Sequence, residues 1–255
     1  MNGKRVVVTG GASGIGRETV RLLAARGAHV VVADIDSAGA EQAAREVGGT
    51  AVMLNVADPV GWQEFAAGAT ADGLDLAVLN AGVLTGEADL AALDEAAYLR
   101  ALSVNVGGVV HGIRSLTPLL GPRQGAIAVT ASLAGLVPFP TDPVYALTKH
   151  ALVGFVRSIA PQLADAGVRI NLVCPGITDT PLVTDSWRAA MAAANFPVMA
   201  PTQVAAALVQ ALTLQDTGQA LVCQPGRDAV KFRFPNVPGP VVDGASGGRP
   251  PAGPG

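Results

Sequence analysis

Charge is scarce in this chain: 15% of its 255 residues are Asp, Glu, Lys or Arg, against 50% that are hydrophobic. That balance excludes a chain kept disordered for want of apolar surface, and the length allows a sizeable core. A formal net charge of −3 gives neither nucleic acid nor an anionic membrane an electrostatic reason to bind. Long apolar runs are missing too. Stretches such as Val104–Val110 are too short and too broken by glycine to span a bilayer. Only a few residues separate Met1 from the first apolar strand pattern, so no signal or transit peptide is expected. The two cysteines, Cys174 and Cys223, both fall in strand-like segments; they read as a reduced, buried pair and imply a cytoplasmic protein. The three histidines, His29, His111 and His150, hold no ligand spacing to one another, which argues against a metal hydrolase, and no metal is expected.

What the chain does have is a rhythm. β-Branched runs at Arg5–Thr9, His29–Ala33, Thr50–Leu54, Asp75–Leu79, Ala126–Thr130, Val168–Val173 and Ala220–Cys223 read as strands. Between them Gly14–Arg26, Ser37–Glu46, Pro59–Ala69, Glu95–Leu119, Val144–Ala166 and Thr202–Leu214 read as helices. Strands apolar on both faces and separated by helices imply a parallel sheet covered on both sides. With right-handed crossovers this is an α/β, Rossmann-type doubly wound sheet of about seven strands, its ligand crevice at the carboxyl ends. No shift of composition divides the chain early, so residues 1–235 read as one dinucleotide-binding and catalytic domain and 236–255 as a Pro/Gly-rich tail. That tail is either loose or laid across a neighbouring subunit. The long segment Thr178–Ala200, with a weak helix at Ser186–Ala194, has the length of a lid over the crevice.

The segment TGGASGIG, Thr9–Gly16, joins the first strand to the first helix. Gly10 suits a turn too tight for a Cβ, and Gly14 and Gly16 would let backbone amides approach a pyrophosphate. Those amides open a helix, where partial positive charge favours phosphate; Ser13 and Ile15 complete the cofactor-facing positions. The second strand leads into Asp34, placed to accept both hydroxyls of an adenosine ribose and to repel a 2′-phosphate. Ile35 follows it and Ser13 is neutral, so NAD is preferred over NADP. Arg17 is the one nearby cation, equally suited to simple solvation. Asp36 and Ser37 are better placed than Asp34 to cap the following helix.

Tyr145 and Lys149 sit four apart in YALTK, which puts them on one helical face. A free tyrosine, with a pKa of about 10, is a poor base at neutral pH. A nearby ammonium together with a positive nicotinamide ring would stabilise the phenolate and lower that value. Ser132 follows the strand AIAVT, where its hydroxyl could hold a substrate oxygen while Tyr145 moves the proton. Asn80 ends another strand in NAG. Asn105 falls inside a helix, where a buried amide needs partners: either it bonds the backbone of a neighbouring element, or it holds a water that relays protons to Lys149.

TG-x-x-x-G-x-G, NAG, the helix Asn, the strand-end Ser, YxxxK and the later PG together resemble the short-chain dehydrogenase/reductase family, over about residues 4–225. The resemblance implies Tyr145 as general acid/base, Lys149 as the residue that lowers its pKa and binds the nicotinamide ribose, Ser132 as substrate orienter and Asn105 as holder of a relay water. It further implies that Asn55 and Val56 contact adenine, that Asn80 lines the cofactor near its ribose, and that Thr178 and Thr180 bond the nicotinamide carboxamide. Two positions depart from the family pattern. Asn55 stands where Asp is usual, and Gln224-Pro225-Gly226 replaces the usual Asp-Gly-Gly, so the resemblance implies nothing about the C-terminal side of the pocket or its subunit contacts.

Leu133, Val137, Phe139, Leu182, Trp187, Met191 and Phe196 read either as an apolar pocket wall or as lid packing. A wall would suit an apolar secondary alcohol or ketone. No Lys or Arg stands beside Ser132, and Arg188 on the lid is the one exception. The helices Glu95–Leu119 and Val144–Ala166 are apolar over more than one stripe, which suggests a subunit contact, and the resemblance adds a homotetramer, or else a dimer, as the expected homo-oligomer.

Overall fold

The structure is a computed structural model that describes residues 1–68 and 73–236. The expected tail, Val237–Gly255, and Ala69, the expected end of the third helix, lie outside the described residues. Val6, Val7 and Val8 are all fully buried because β1 (Arg5–Thr9) runs through the middle of a sheet covered on both faces. Around it lie β2 (His29–Asp34), β3 (Thr50–Met53), β4 (Leu76–Leu79), β5 (Ala126–Thr130), β6 (Arg169–Pro175), β7 (Ala220–Cys223) and β8 (Val230–Lys231). The order is β3-β2-β1-β4-β5-β6-β7-β8, with every pair parallel except β7 and β8. The sheet therefore has eight strands rather than about seven. A two-residue antiparallel edge offers no periodicity for sequence reading to catch.

Alternation along each strand divides the core in two. Val7, Ile127, Ile170 and Leu172 face α3 (Pro59–Gly68), α5 (Gly108–Leu120) and α6 (Pro143–Asp165), which contribute Trp62, Leu116 and Leu152. Val6, Val8 and Val173 face α1 (Gly14–Ala25), α2 (Ser37–Val47) and α8 (Pro201–Thr213), which contribute Leu23, Ala40 and Leu208. Fully burying a Leu or Val side chain stabilises the fold by roughly 1.5–3 kcal/mol, so these two layers dominate the energetics.

The expected helix Glu95–Leu119 runs unbroken but not uniformly α-helical. It consists of α4 (Glu95–Leu102), a π-helical turn at Ser103–Gly107, and α5. The wide turn holds Asn105, and Gly108 just beyond it lets the helix close on Val56, whose Cγ2 would be 2.9 Å from a Cβ at that position. Apolar periodicity runs on across such a turn, so the widening has little signature in the sequence. Other boundaries move by a residue or two; the YALTK helix, for example, runs Pro143–Asp165 rather than Val144–Ala166. Between β6 and α8 the long segment carries α7 (Asp185–Ala193), with Thr184 as its cap. Met199 closes that segment by a bridge to Thr178 and is fully buried. Cys174 and Cys223 are free and buried on the neighbouring strands β6 and β7. Among the described residues no helix is long and apolar enough to cross a membrane.

Candidate active site

The chain runs outward from β1 through β2 to β3, then returns to place β4 on the other side of β1. At this reversal the loops after the strands part and leave a crevice, here about 920 Å³. Most of its exposed lining is apolar.

One end is built from the glycine turn. Gly10 and Gly14 both take positive φ, +65° and +49°, and a Cβ on Gly10 would come within 3.0 Å of Ala81 Cα. Ser13 makes no side-chain capping bond to α1, so the first-turn amides keep their capacity for an anion. Asp34 faces the same space; its carboxylate accepts the amides of Ala12 and Asp36 at 3.0 Å each. Asp36, not Asp34, caps α2 by accepting from Gly39. Arg17 turns away to an ion pair with Glu46 and leaves no cation beside Asp34 in the lining. Asn55 and Val56 line the wall beyond. The Asn55 side-chain oxygen accepts the Ala57 amide at 3.1 Å, and the buried Trp62 indole holds the Val56 carbonyl at 2.9 Å.

A ladder of buried polar groups crosses the strand ends. The Thr9 hydroxyl accepts the Asn80 amide at 2.9 Å, and the Asn80 side chain donates to the Thr9 carbonyl at 3.2 Å. The Thr130 hydroxyl donates to the Asn80 oxygen at 3.0 Å, and Lys149 donates to the Thr130 carbonyl at 2.9 Å. Asn80 thus ties β1 to β5 while still lining the crevice.

Tyr145, Ser132 and Lys149 converge at the other end. Burial pushes the Tyr145 phenol up to about 12, with the Asp142 and Cys174 charges adding to the rise and a hydrogen bond with the Ser132 side chain opposing it. Burial also brings Lys149 down to about 8. The expected lowering of Tyr145 by Lys149 is therefore not produced by these side chains alone. The ammonium lies against the ring, 5.4 Å from its centroid, and bonds Thr130. Cys174, on the strand beneath, is likewise pushed up to about 12 by burial.

The profile of the short chain dehydrogenases matches residues 4–190, most of the chain. This chain belongs to that family. It is 36% identical to a cyclohexanol dehydrogenase of Acinetobacter sp. strain SE19 over 199 residues, covering 74% of this chain and 79% of that protein. It is 38% identical over 198 residues to a cis-4-hydroxycyclohexanecarboxylate dehydrogenase of Sinomonas cyclohexanicum, covering 73% and 79%. Among solved structures, a 3-ketoacyl-(acyl-carrier-protein) reductase from Brucella melitensis complexed with NADH superposes with a TM-score of 0.81 at 28% identity, covering 89% of this chain and 98% of that one. This short-chain dehydrogenase is accordingly an oxidoreductase.

Of the residues expected from sequence, Gly10, Ser13, Gly14, Ile15, Asp34, Asn55, Val56, Asn80, Ser132, Tyr145, Lys149, Thr178 and Thr180 all line the crevice. Two do not. Gly16 is buried against the turn itself, where a Cβ would stand 1.9 Å from the Gly10 carbonyl oxygen, so the turn needs a glycine there for packing. Asn105 is fully buried behind the wall: its oxygen accepts the Val83 amide at 2.8 Å, and its nitrogen donates to the Val83 carbonyl at 2.9 Å and the Thr148 hydroxyl at 3.0 Å. The side chain thus bonds the neighbouring segment at Val83 and α6 at Thr148.

In the long segment between β6 and α8, Leu182, Trp187 and Phe196 reach the crevice but Met191 does not. Arg188 turns to Asp179, Asp185 and the Thr180 carbonyl, so it clips the segment between β6 and α7 to that helix. Thr9, Thr130 and Asp142 were missed by sequence reading. Thr9 and Thr130 carry a faint signal as strand-end threonines beside the glycine turn and Ser132. Asp142 carries the signal of an N-cap three residues before Tyr145.

Proposed function

We propose that this short-chain dehydrogenase moves a hydride between NAD(H) and an apolar secondary alcohol or ketone, with Tyr145 as general acid/base. One observation carries the reading: Tyr145, Ser132 and Lys149 share an apolar crevice with Gly10, Gly14 and Asp34. The glycine turn fits a pyrophosphate because side chains there would fill the cradle, and Asp34 fits the hydroxyls of an unmodified adenosine ribose. When bound, the nicotinamide supplies the hydride acceptor or donor.

The proton work falls to this chain. Ser132 holds the substrate oxygen, and Tyr145 takes the hydroxyl proton in oxidation and returns it in reduction. Lys149, anchored on Thr130, supplies positive charge beside the ring and reaches the nicotinamide ribose. Thr178 and Thr180 receive the carboxamide end, Asn55 and Val56 the adenine. Asn105 acts from behind, fixing Val83 against α6. Leu133, Phe139, Leu182, Trp187 and Phe196 offer an apolar wall, with Phe139 edge-on to both Tyr145 and Trp187 at about 6 Å. Relatives named for cyclohexanol and for a hydroxycyclohexanecarboxylate support a ring-sized alcohol. Residues 1–235 form one domain in this reading. Exposed Leu99 and Leu147 on α4 and α6 suit a homo-oligomer, and the two free thiols suit a cytoplasmic one.

The test is a series of cyclic and open-chain secondary alcohols with NAD+ and NADP+, run on the wild type and Tyr145→Phe. The expected result is turnover with NAD+, reduced by about 10²–10⁴-fold in Tyr145→Phe with NAD+ binding intact. Wild-type turnover by Tyr145→Phe would overturn the reading. A lower dissociation constant for NADP+ than for NAD+ would overturn its cofactor half.

A further inference from the structure

Asp142 is 3% exposed and stands three residues before Tyr145, at the start of α6. A buried carboxylate is costly unless its lone pairs are filled, and this one is filled twice on each oxygen. Oδ1 accepts the Thr85 hydroxyl at 2.7 Å and the Tyr145 amide at 2.8 Å. Oδ2 accepts the Thr85 amide at 2.8 Å and the Gly86 amide at 2.9 Å. An ordinary helix cap needs only the bond to Tyr145. The other three reach across to the segment that follows the Asn80 strand end, one residue beyond Leu84, which lines the crevice.

We propose that Asp142 is a positioning residue for the proton-transfer centre: its carboxylate ties Thr85 and Gly86 to the first turn of α6 and sets a fixed negative charge 2.8 Å from the Tyr145 amide, where it bears on the phenol of the same residue. The inference rests on reading Tyr145 as the acid/base. Four groups bear on that phenol. Asp142 and Lys149 come from its own helix, Cys174 from β6, and the Ser132 hydroxyl from beyond β5. From α7, Trp187 reaches Tyr145 only through Phe139, and Arg188 is held by Asp179 and Asp185. Asp142 and Lys149 therefore pull in opposite directions. The carboxylate keeps the phenol protonated, and the ammonium favours its ionised form. The carboxylate works through a buried medium, so water screens it little.

The sequence has only two tyrosines, Tyr98 and Tyr145. In a Tyr98→Phe background the near-ultraviolet absorbance of the phenolate reports Tyr145 alone, without turnover. Titrations are made with and without saturating NAD+ on that protein and on the same protein carrying Asp142→Asn, Asp142→Ser or Thr85→Val. Both Asp142 variants should lower the midpoint by about 0.5–1 pH unit, as expected for losing one charge at this range. Asp142→Ser keeps a cap for the Tyr145 amide and serves if Asp142→Asn fails to fold. Thr85→Val loses a tie but keeps the charge, so it should lower thermal stability and leave the midpoint in place. An unchanged midpoint in the Asp142 variants, with only stability lost, would reduce Asp142 to a structural cap and overturn the proposal. A midpoint indifferent to NAD+ in every protein would count against the cofactor reading instead, and the comparison without nucleotide still decides the role of Asp142.

Discussion

The Lys149 ammonium lies 5.4 Å from the centroid of the Tyr145 ring and 2.9 Å from the carbonyl oxygen of Thr130, with the lysine itself only 3% exposed. Holding a cation there is an energetic liability. Burial brings its pKa from 10.5 to about 8, so the folded chain binds the proton less tightly than the unfolded chain does.

The sign of the pH effect follows. Between the folded value near 8 and the unfolded value of 10.5 the unfolded chain holds more protons, so the contribution of this site to stability rises with pH. It is present above 10.5, is lost as pH falls through 8, and stays lost below. At most about 3 kcal/mol is involved. Lys149→Met is expected to be more stable than the wild type in urea at pH 7 and to lose that advantage toward pH 10.5, while turnover collapses. Unfolding curves at the two pH values check it; a variant less stable at neutral pH contradicts it.

Cofactor choice is predicted to turn on Asp34. Asp34→Ser removes the charge that repels a 2′-phosphate and keeps a short acceptor for the Ala12 and Asp36 amides. The ratio of NADP+ to NAD+ affinity should rise by about tenfold or more, since one fully opposed charge is worth at least that much. Trp187 lines the crevice, so quenching of its fluorescence gives both dissociation constants. An unchanged ratio would mean that discrimination is set elsewhere.

Gly14 and Gly16 should separate binding from folding. An alanine at Gly16 drives its Cβ to 1.9 Å from the Gly10 carbonyl oxygen, and either the turn or α1 must move. The expected cost is about 3 kcal/mol or more, read as a large fall in Tm. At Gly14 the Cβ meets Thr180 at 3.2 Å with φ at +49°, a strain of about 1–3 kcal/mol placed where the segment after β6 crosses the turn. Gly14→Ala should therefore keep most of its stability but bind NAD+ more weakly. Equal losses of stability in the two variants would refute the distinction.

Most of this was legible in the sequence because it depends on local rules. β-Branched runs, helical stretches and a glycine turn between them set the sheet and its crevice, and Tyr145 with Lys149 needs only helical spacing. Less legible were features set by packing between elements. Gly16 looks the same as Gly14 in a motif, yet only contact with the Gly10 carbonyl shows it to be a spacer. Asn105 announced itself as a helical amide, while its partners Val83 and Thr148 are 22 and 43 residues away. The protonation of Tyr145 depends on burial, which no spacing encodes, and on Asp142, whose spacing announces a helix cap and not a charge bearing on the phenol. Arg188 and Met191 both lie on α7, but which way a side chain turns on a short exposed helix is decided by its neighbours, here Asp179 and Asp185.

The π turn at Ser103–Gly107 carries one residue more than an α-helical turn would. Each residue of an α-helix rotates the chain by about 100°, so the extra one changes the angular phase between α4 and α5 by roughly that amount. α5 can thus keep Ile113, Leu116 and Leu120 in the core while α4 turns Arg100, with Ser103 at the junction, toward the crevice. Deleting a single residue here would leave the composition almost untouched and the helix more regular. It would also rotate one wall of the crevice out of phase with the rest, so the shape of the crevice depends on a count of residues as much as on their identity.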